Sequence, residues 1–315
     1  MLLSKRINWN LLYTFVILAE TGSLSRTAQI LGRGQPAISA ALKKLELQVG
    51  HALAERGPRY FRLTEAGRML QREASAICGT IDRISGLLKD VEGTVTGEVA
   101  IAIASHMTSP IIDLAFASFR RKHPRTTMNV AVTHSGEMLR ALTNRVIPFA
   151  IGPVHSKSPG LSYEHIFREF CGFYCGRGHE LFGRTDLTVA DLENQSAITY
   201  RSAMETDTLQ SISDLARAMR FAQPFAGISN NLEEVRRLVV AGVGIGAIPV
   251  QIAARDVRDA LLWRLPPHED VMPIDIYLIV NTKVRLNSAE AAFLEMLRTT
   301  IRETPEDQRV YREID

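Results

Sequence analysis

Several residue groupings in this chain have the types and spacing that chemistry would need. Ser105 stands beside His106, a hydroxyl next to a base. A nucleophile needs its base within reach in space, which adjacency along the chain does not provide, and no G-x-S-x-G context surrounds the pair. Cys171, Cys175 and His179 follow the spacing C-x3-C-x3-H. A zinc site needs a fourth ligand or an open position, and none is evident. If 169–176 is a strand, the two sulfurs face one side with Cα atoms about 13 Å apart, whereas a disulfide needs roughly 4.4 to 6.8 Å. Gly242, Gly244 and Gly246 in GVGIG follow a helical pattern and precede a strand, the reverse of a dinucleotide fingerprint. These groupings predict neither an enzyme nor a cofactor or metal site.

A further grouping suits nucleic acid. Gln35, Ser39 and Lys43 recur every four residues, so on a helix they share one face, with Ala40 and Lys44 on its flank. A glutamine amide can bond adenine in two places, a serine hydroxyl can bond several base edges, and lysines suit phosphates. An abrupt turn delivers this helix. Residues 9–20 read as a first helix with Leu12, Phe15, Val16 and Ala19 on one face. Ser23 can cap a second helix over 24–31, whose apolar positions are Leu24, Ala28 and Leu31. Gly32 can end it in a left-handed conformation. After Arg33, Gly34 or Gln35 caps a third helix with Pro36 in its first turn. Ile38, Leu42, Leu45 and Val49 form its buried stripe. This is a helix-turn-helix with a polar and basic outer face, whose candidate DNA contacts also include Ser23, Arg33 and Pro36.

The following stretch, 51–67, has a Gly-Pro turn between two short extended pieces, a wing that would bring Arg56, Arg59 and Arg62 to flanking phosphates. Thr64 then caps a long helix reaching about residue 92. Along it Leu70, Ala74, Ile77, Ile81, Ile84, Leu88 and Val91 alternate spacings of four and three, an a/d seam that favours a two-chain coil. Charge agrees with a polyanion partner for the head. Residues 1–62 hold nine Lys/Arg against three Asp/Glu, a net +6, while the whole chain is +3, leaving −3 for the rest. The 315 residues, 46% hydrophobic and 23% charged, suit a soluble protein of more than one domain. Three cysteines, no secretory signal and no membrane-spanning apolar run predict a cytoplasmic protein without membrane contact.

Past a hinge-like GTVTG at 93–97, strand patterns at 98–104, 126–132, 148–152, 169–176, 196–200, 243–249 and 274–280 alternate with helical ones at 110–122, 136–143, 231–242 and 288–302. That alternation predicts an α/β body built on a parallel sheet, with a charged tail after 303 that is solvated or frayed. Ligands of open α/β sheets sit beyond the carboxyl ends of strands. The candidate site residues are accordingly Ser105, His106, Thr108 and Ser109 after the first strand, Arg201 and Ser202 after another, and Asn230 and Asn231 where a helix opens. The hydroxyls, the helix N-terminus and Arg201 together predict a small organic anion or an amide-bearing metabolite.

The segments FVILAETGSLSRTAQIL, QPAISAALKKLE and RLTEAG together resemble the LysR-type transcriptional regulators over about the first 67 residues, and EEVRRLVVAGVGIGAIP resembles a stretch of their effector domains. The resemblance implies an N-terminal all-α winged helix-turn-helix with a long dimerisation linker helix. It also implies a C-terminal α/β effector domain of two lobes, like a periplasmic binding protein. The corresponding spans are 1–67, 68–92 and 93–315. It implies double-stranded DNA with an interrupted inverted repeat as one partner, a small-molecule effector in the cleft, homodimers pairing into homotetramers, and RNA polymerase as a further partner. Three positions depart from the family's pattern in the head: Ala40 replaces an arginine, Ala54 a phenylalanine and Gly34 a serine. In the body, RVIPFAI carries Pro148 where an acidic residue is usual. A redox-sensing regulator using Cys171 and Cys175, and a solute-binding or enzymatic α/β protein with an accessory basic domain, are the alternatives.

Overall fold

The computed structural model describes residues 6–57, 60–88, 95–105, 107–154, 156–201, 214, 216–269 and 272–312. The chain divides into two compact units, residues 1–85 with 143–146, and residues 86–142 with 147–315.

The first unit opens with α1 (Trp9–Thr21), α2 (Leu24–Ile30) and α3 (Gln35–Val49), each end set by local chemistry. The Asn8 side chain accepts from the first-turn amides of α1, and Gly22 ends that helix at φ 61°. Ser23 caps α2, accepting from Arg26 N at 3.3 Å. Leu12, Phe15, Val16, Leu18, Ala28, Ile38, Leu42 and Leu45 bury into one core. The wing is β1 (Ala54–Gly57) paired antiparallel with β2 (Tyr60–Leu63). Its base is pinned by the Glu46 carboxylate of α3, which accepts from Leu53 N at 2.8 Å. Ala54 is itself buried and Phe61 packs against the same core, so the wing closes without a phenylalanine at 54. Thr64 starts α4 (Glu65–Leu88), accepting from Gly67 N at 3.0 Å and donating to Ala52 O at 2.7 Å. A side chain at Gly67 would put its Cβ 1.9 Å from Leu53 O, so the RLTEAG turn needs glycine there.

The expected seam on α4 divides. Leu70 and Ala74 pack into this unit's own core, so they are not free to face a second chain. Ile77, Ile81 and Ile84 are exposed at 47%, 40% and 45%. Val91 lies outside the described residues, as does the side chain of Leu88.

Among the described residues the second unit carries a ten-stranded sheet. In chain order its elements are β3 (Gly97–Ala104), α5 (Pro110–Lys122), β4 (Thr126–Thr133), α6 (Ser135–Thr143), β5 (Phe149–Pro153), β6 (Leu161–Gly176), β7 (Ala197–Tyr200) and β8 (Gly227–Ser229). Then follow α7 (Leu232–Val240), β9 (Ile245–Pro249), α8 (Val250–Arg258), β10 (Leu262–Leu265), β11 (Met272–Asn281), α9 (Ser288–Glu303) and β12 (Val310–Tyr311). The strand order is β4-β3-β5-β11-β6-β9-β7-β8, with β10 and β12 also on β6. The sheet is mixed, which corrects the expectation of a parallel one. β3 is parallel to β4 and β5, and β7 to β8 and β9, but β11 runs antiparallel to β5 and β6, and β6 antiparallel to β9 and β10. Each half is thus a parallel α/β lobe, and two long strands join them.

β6 begins eight residues earlier than its apolar pattern predicts, at Leu161. Its first half is only partly covered, and there Glu164 pairs with Arg298 of α9 and Arg168 with Asp275 of β11, so charge hides the strand. Phe293 of α9 packs edge-on to Phe119 of α5 with ring centres 5.3 Å apart, closing one layer over the first lobe. Arg236 of α7 makes two bonds to the buried Asp256 of α8, at 2.5 and 2.7 Å, closing a layer over the second.

The tail is not frayed, contrary to the reading from its charge. Residues Glu306–Arg309 form a short 3-10 turn, and β12 joins β6 in parallel. The Tyr311 ring stacks on Phe167 with centres 4.6 Å apart, and its hydroxyl bonds that of Ser109 at 2.8 Å. One aromatic residue with a buried platform and a buried polar partner outweighs the charges around it. Tyr311→Ala is expected to destabilise the second unit by about 2 kcal/mol, below a fully buried aromatic because Tyr311 is only half-buried; urea unfolding measures it, and a shift under a few tenths of a kcal/mol would mean the tail is an ornament.

Candidate functional site

The outer face of the first unit is presented by α3. With Ile38, Leu42 and Leu45 buried inward, Gln35, Pro36, Ala40, Lys43 and Lys44 are exposed, and Ser39 is half-buried between them. Gln35 sits at the first helical position and accepts a bond from Ser25 Oγ at 3.4 Å, so its amide is held at the amino end of the helix. Arg33 is exposed in the turn before it. There Gly32 takes φ 61° and Arg33 N bonds Ala28 O at 2.9 Å. Ser23 serves as the cap of α2. On the wing, Arg62 is exposed opposite Glu55. Arg59 lies outside the described residues, as does the side chain of Arg56. The face is polar and basic and rich in donors.

The second unit holds a half-open cavity of about 70 Å³. It lies at the carboxyl ends of the parallel strands of both lobes, where β3 ends at Ala104 and Ser105, β4 at Thr133, β7 at Tyr200 and β9 at Pro249. Asn230 after β8 and His134 before α6 add polar walls; Met107, Leu232 and Ile274 add apolar ones. The joining strand β6 supplies Glu169 and Cys171.

Glu169 is the unusual member. Its side chain is 3% exposed, and Gln251 Nε2 of α8 donates to it at 2.6 Å. Burial raises its carboxyl from the ordinary 4.5 to about 7, against the pull of the Gln251 bond. Burial likewise pushes the Cys171 thiol and the Tyr200 phenol well up, so both stay protonated near neutrality. Tyr200 donates its hydroxyl proton to Ala247 O at 2.9 Å. Thr133 Oγ1 is buried without a partner among the described residues.

Of the residues expected here from the sequence, Ser105 and Asn230 line the cavity. Ser109 does not. It is fully buried with its hydroxyl engaged by Tyr311, so the ordered tail takes the group that a ligand would have needed. Thr108 and Arg201 are exposed and Asn231 caps α7 by accepting from Glu233 N at 2.8 Å; none of the three is on the cavity wall. His106 and Ser202 lie outside the described residues. Glu169, Thr133 and Tyr200 were missed. A lone acid heading the apolar run EFCGFYCG was the available signal for Glu169. Cys171 and Cys175 are both buried free thiols, and among the described residues no cluster of His, Cys, Asp and Glu could hold a metal.

Residues 92–302 match the domain family described as the LysR substrate binding domain, and residues 9–68 match the bacterial regulatory helix-turn-helix protein family, lysR type. The HTH-type transcriptional activator BauR of Pseudomonas aeruginosa is 27% identical over 293 residues, 90% of this chain and 92% of that protein. The solved structure of CbnR, a LysR family transcriptional regulator, aligns with TM-score 0.61 at 22% identity over 94% of this chain and 99% of that one. Full-length CbnR in complex with its target DNA aligns with TM-score 0.59 at 20% identity, covering 93% of this chain and 100% of that one. Among the described residues no helix is long and apolar enough to cross a membrane.

The buried carboxyl makes stability depend on pH. A folded-state value raised from 4.5 to about 7 means that protonated Glu169 favours the fold, and that this advantage is lost as pH rises through about 7. The loss is on the order of 3 kcal/mol for a shift of this size. Glu169→Gln keeps the shape and removes the charge, so urea unfolding at about pH 5 and about pH 8 should show native protein weakening relative to the variant at the higher pH. Parallel pH dependence in the two proteins would contradict the assignment.

Proposed function

Because the chain belongs to the LysR family of bacterial transcriptional regulators, we infer that α3 reads operator DNA in the major groove while the cavity of the α/β body binds a small-molecule effector. The observation that carries the DNA reading is the exposed face of α3, with Gln35, Ser39 and the two lysines set on a helix whose other side is fully buried. Gln35 and Ser39 read base edges; Ala40 offers a methyl to thymine; Lys43, Lys44, Arg33 and the wing arginines, Arg62 among them, contact phosphates. The domain division that fits this reading is DNA binding over 1–67, a linker over 68–92 and regulation over 93–315.

The exposed isoleucines of α4 support a homodimer. Ile77, Ile81 and Ile84 keep the spacing of a coil seam, and three isoleucines at 40% exposure or more leave an apolar strip that a second copy would cover. A two-fold pair places two α3 helices on the half-sites of an interrupted inverted repeat, and two such dimers make a homotetramer. An effector regulates this assembly only by binding one arrangement of the lobes better than another. The redox alternative finds no support in the cysteines, since burial holds the Cys171 thiol far up and pushes that of Cys175 up to about 12, away from the reactive thiolate.

Selection from random duplexes followed by binding titrations tests the DNA reading. Gln35→Ala should relax the preference at one base position by roughly 1–3 kcal/mol. Arg62→Ala should weaken binding to all sequences alike and lower the salt slope by about one. Unchanged sequence preference in both Gln35→Ala and Ser39→Ala would remove α3 from the recognition role. For the seam, Ile81→Asp should shift the protein toward monomer in light scattering; an unchanged mass would place the dimer contact elsewhere.

A further inference from the structure

The cavity that serves as the effector site in this reading has a charge character opposite to the one the sequence suggests. The expectation of an organic anion leaned on Arg201 and the hydroxyls after β3. Arg201 is not on the wall, Ser109 is engaged by the tail, and among the described lining residues there is no lysine or arginine. Among the described lining residues the one carboxylate is that of Glu169. Among the described residues it accepts a single side-chain bond, from a neutral amide. A carboxylate taken out of water without a cation beside it is costly, and a ligand that brings the cation removes the cost.

We propose that the cavity takes a small aliphatic amine, with the ligand's ammonium bound to the Glu169 carboxylate. An alkylammonium carries three N–H donors and no acceptor. The cavity offers Glu169 as a charged acceptor and Thr133 Oγ1, otherwise unpartnered among the described residues, as a neutral one. Met107, Leu232 and Ile274 furnish the apolar wall that a short carbon skeleton needs. The space of about 70 Å³ accommodates roughly five to seven waters, which suits a short-chain ligand. The amine reading deepens the effector-site reading and rests on it.

Proton linkage follows from what surrounds Glu169. Cys171 lies two residues along β6, Tyr200 faces it from β7, Tyr311 from β12 and Gln251 from α8; Ile274 of β11 is its register partner, and His134 stands on the wall of the same cavity. None of these is a lysine or arginine. With its carboxyl near 7, Glu169 gives up a proton when an ammonium binds below that pH. Amine affinity then falls by up to tenfold for each pH unit below about 7. An anion would behave oppositely, since it would need Glu169 protonated as a donor and would bind more tightly as pH falls.

The test is calorimetric titration of the full-length protein with n-butylamine, butyramide and butyrate, on both sides of neutrality. The same series is run with Glu169→Gln. We expect n-butylamine to bind above neutrality, to weaken as the solution is acidified, and to lose tenfold or more in the variant, with butyrate failing to bind. The native protein's pH dependence carries the result even if the variant does not fold. Butyrate binding more tightly than the amine, or amine binding unchanged by acid or by Glu169→Gln, overturns the amine assignment and leaves the cavity as an effector site. Failure of all three compounds to bind overturns the effector-site reading as well as this one.

Discussion

Strand β6 is the constraint on which the body depends. It is sixteen residues long, and its later half is buried on both faces. Leu161–Cys171 pairs with β11, Cys171–Tyr174 with β9 and Phe173–Gly176 with β10. One strand therefore supplies hydrogen-bond partners to both lobes, and its backbone groups have nowhere else to go. β11 keeps step with it except for a register shift at Ile276/Tyr277, a local irregularity in the ladder between the two lobes. Because the strand runs through both lobes, alternate side chains near its middle face the cavity. Glu169 and Cys171 stand there, which is why a joining strand contributes to the binding wall.

The cavity follows from the same architecture. Parallel strands of both lobes end toward one place, and strand ends leave loops and helix starts rather than packed side chains. The walls are thus small and varied residues such as Ala104, Ser105, Thr133 and Asn230. Into this space the fold puts an acid with no cation among the described wall residues. A merely structural position of that burial would be filled at lower free energy by an apolar side chain. A ligand that brings a cation to this acid would offset the cost of its burial.

In the head, the controlling features are backbone features. Gly32 at φ 61° turns the chain between α2 and α3, and Gly67 permits α4 to approach the backbone of Leu53. Glu46 reaches from α3 to the amides that open the wing. These contacts fix α3 against its neighbours and leave Gln35, Ala40, Lys43 and Lys44 exposed on its outer face.

The helix-turn-helix, its caps, the wing and the alternation of strands and helices are legible in the order of residues alone. Those signals are local. An N-cap, a left-handed glycine and a stripe at helical spacing act within a few residues, and Ser23, Gly32 and the Ile38–Leu42–Leu45 stripe express them directly. The tertiary structure decided what long-range contacts decide. The mixed sense of the sheet depends on β11 crossing back between β5 and β6, which no local pattern encodes. The order of the tail depends on a platform at Phe167, far from Tyr311 in the chain. The same contact withdrew Ser109 from the candidate site. Leu70 and Ala74 keep the seam's period yet belong to the head's own core, because periodicity reports that a face is covered and not by what. The chemistry of the cavity, above all a carboxyl held near 7 by burial, exists only once the strands around Glu169 have excluded water.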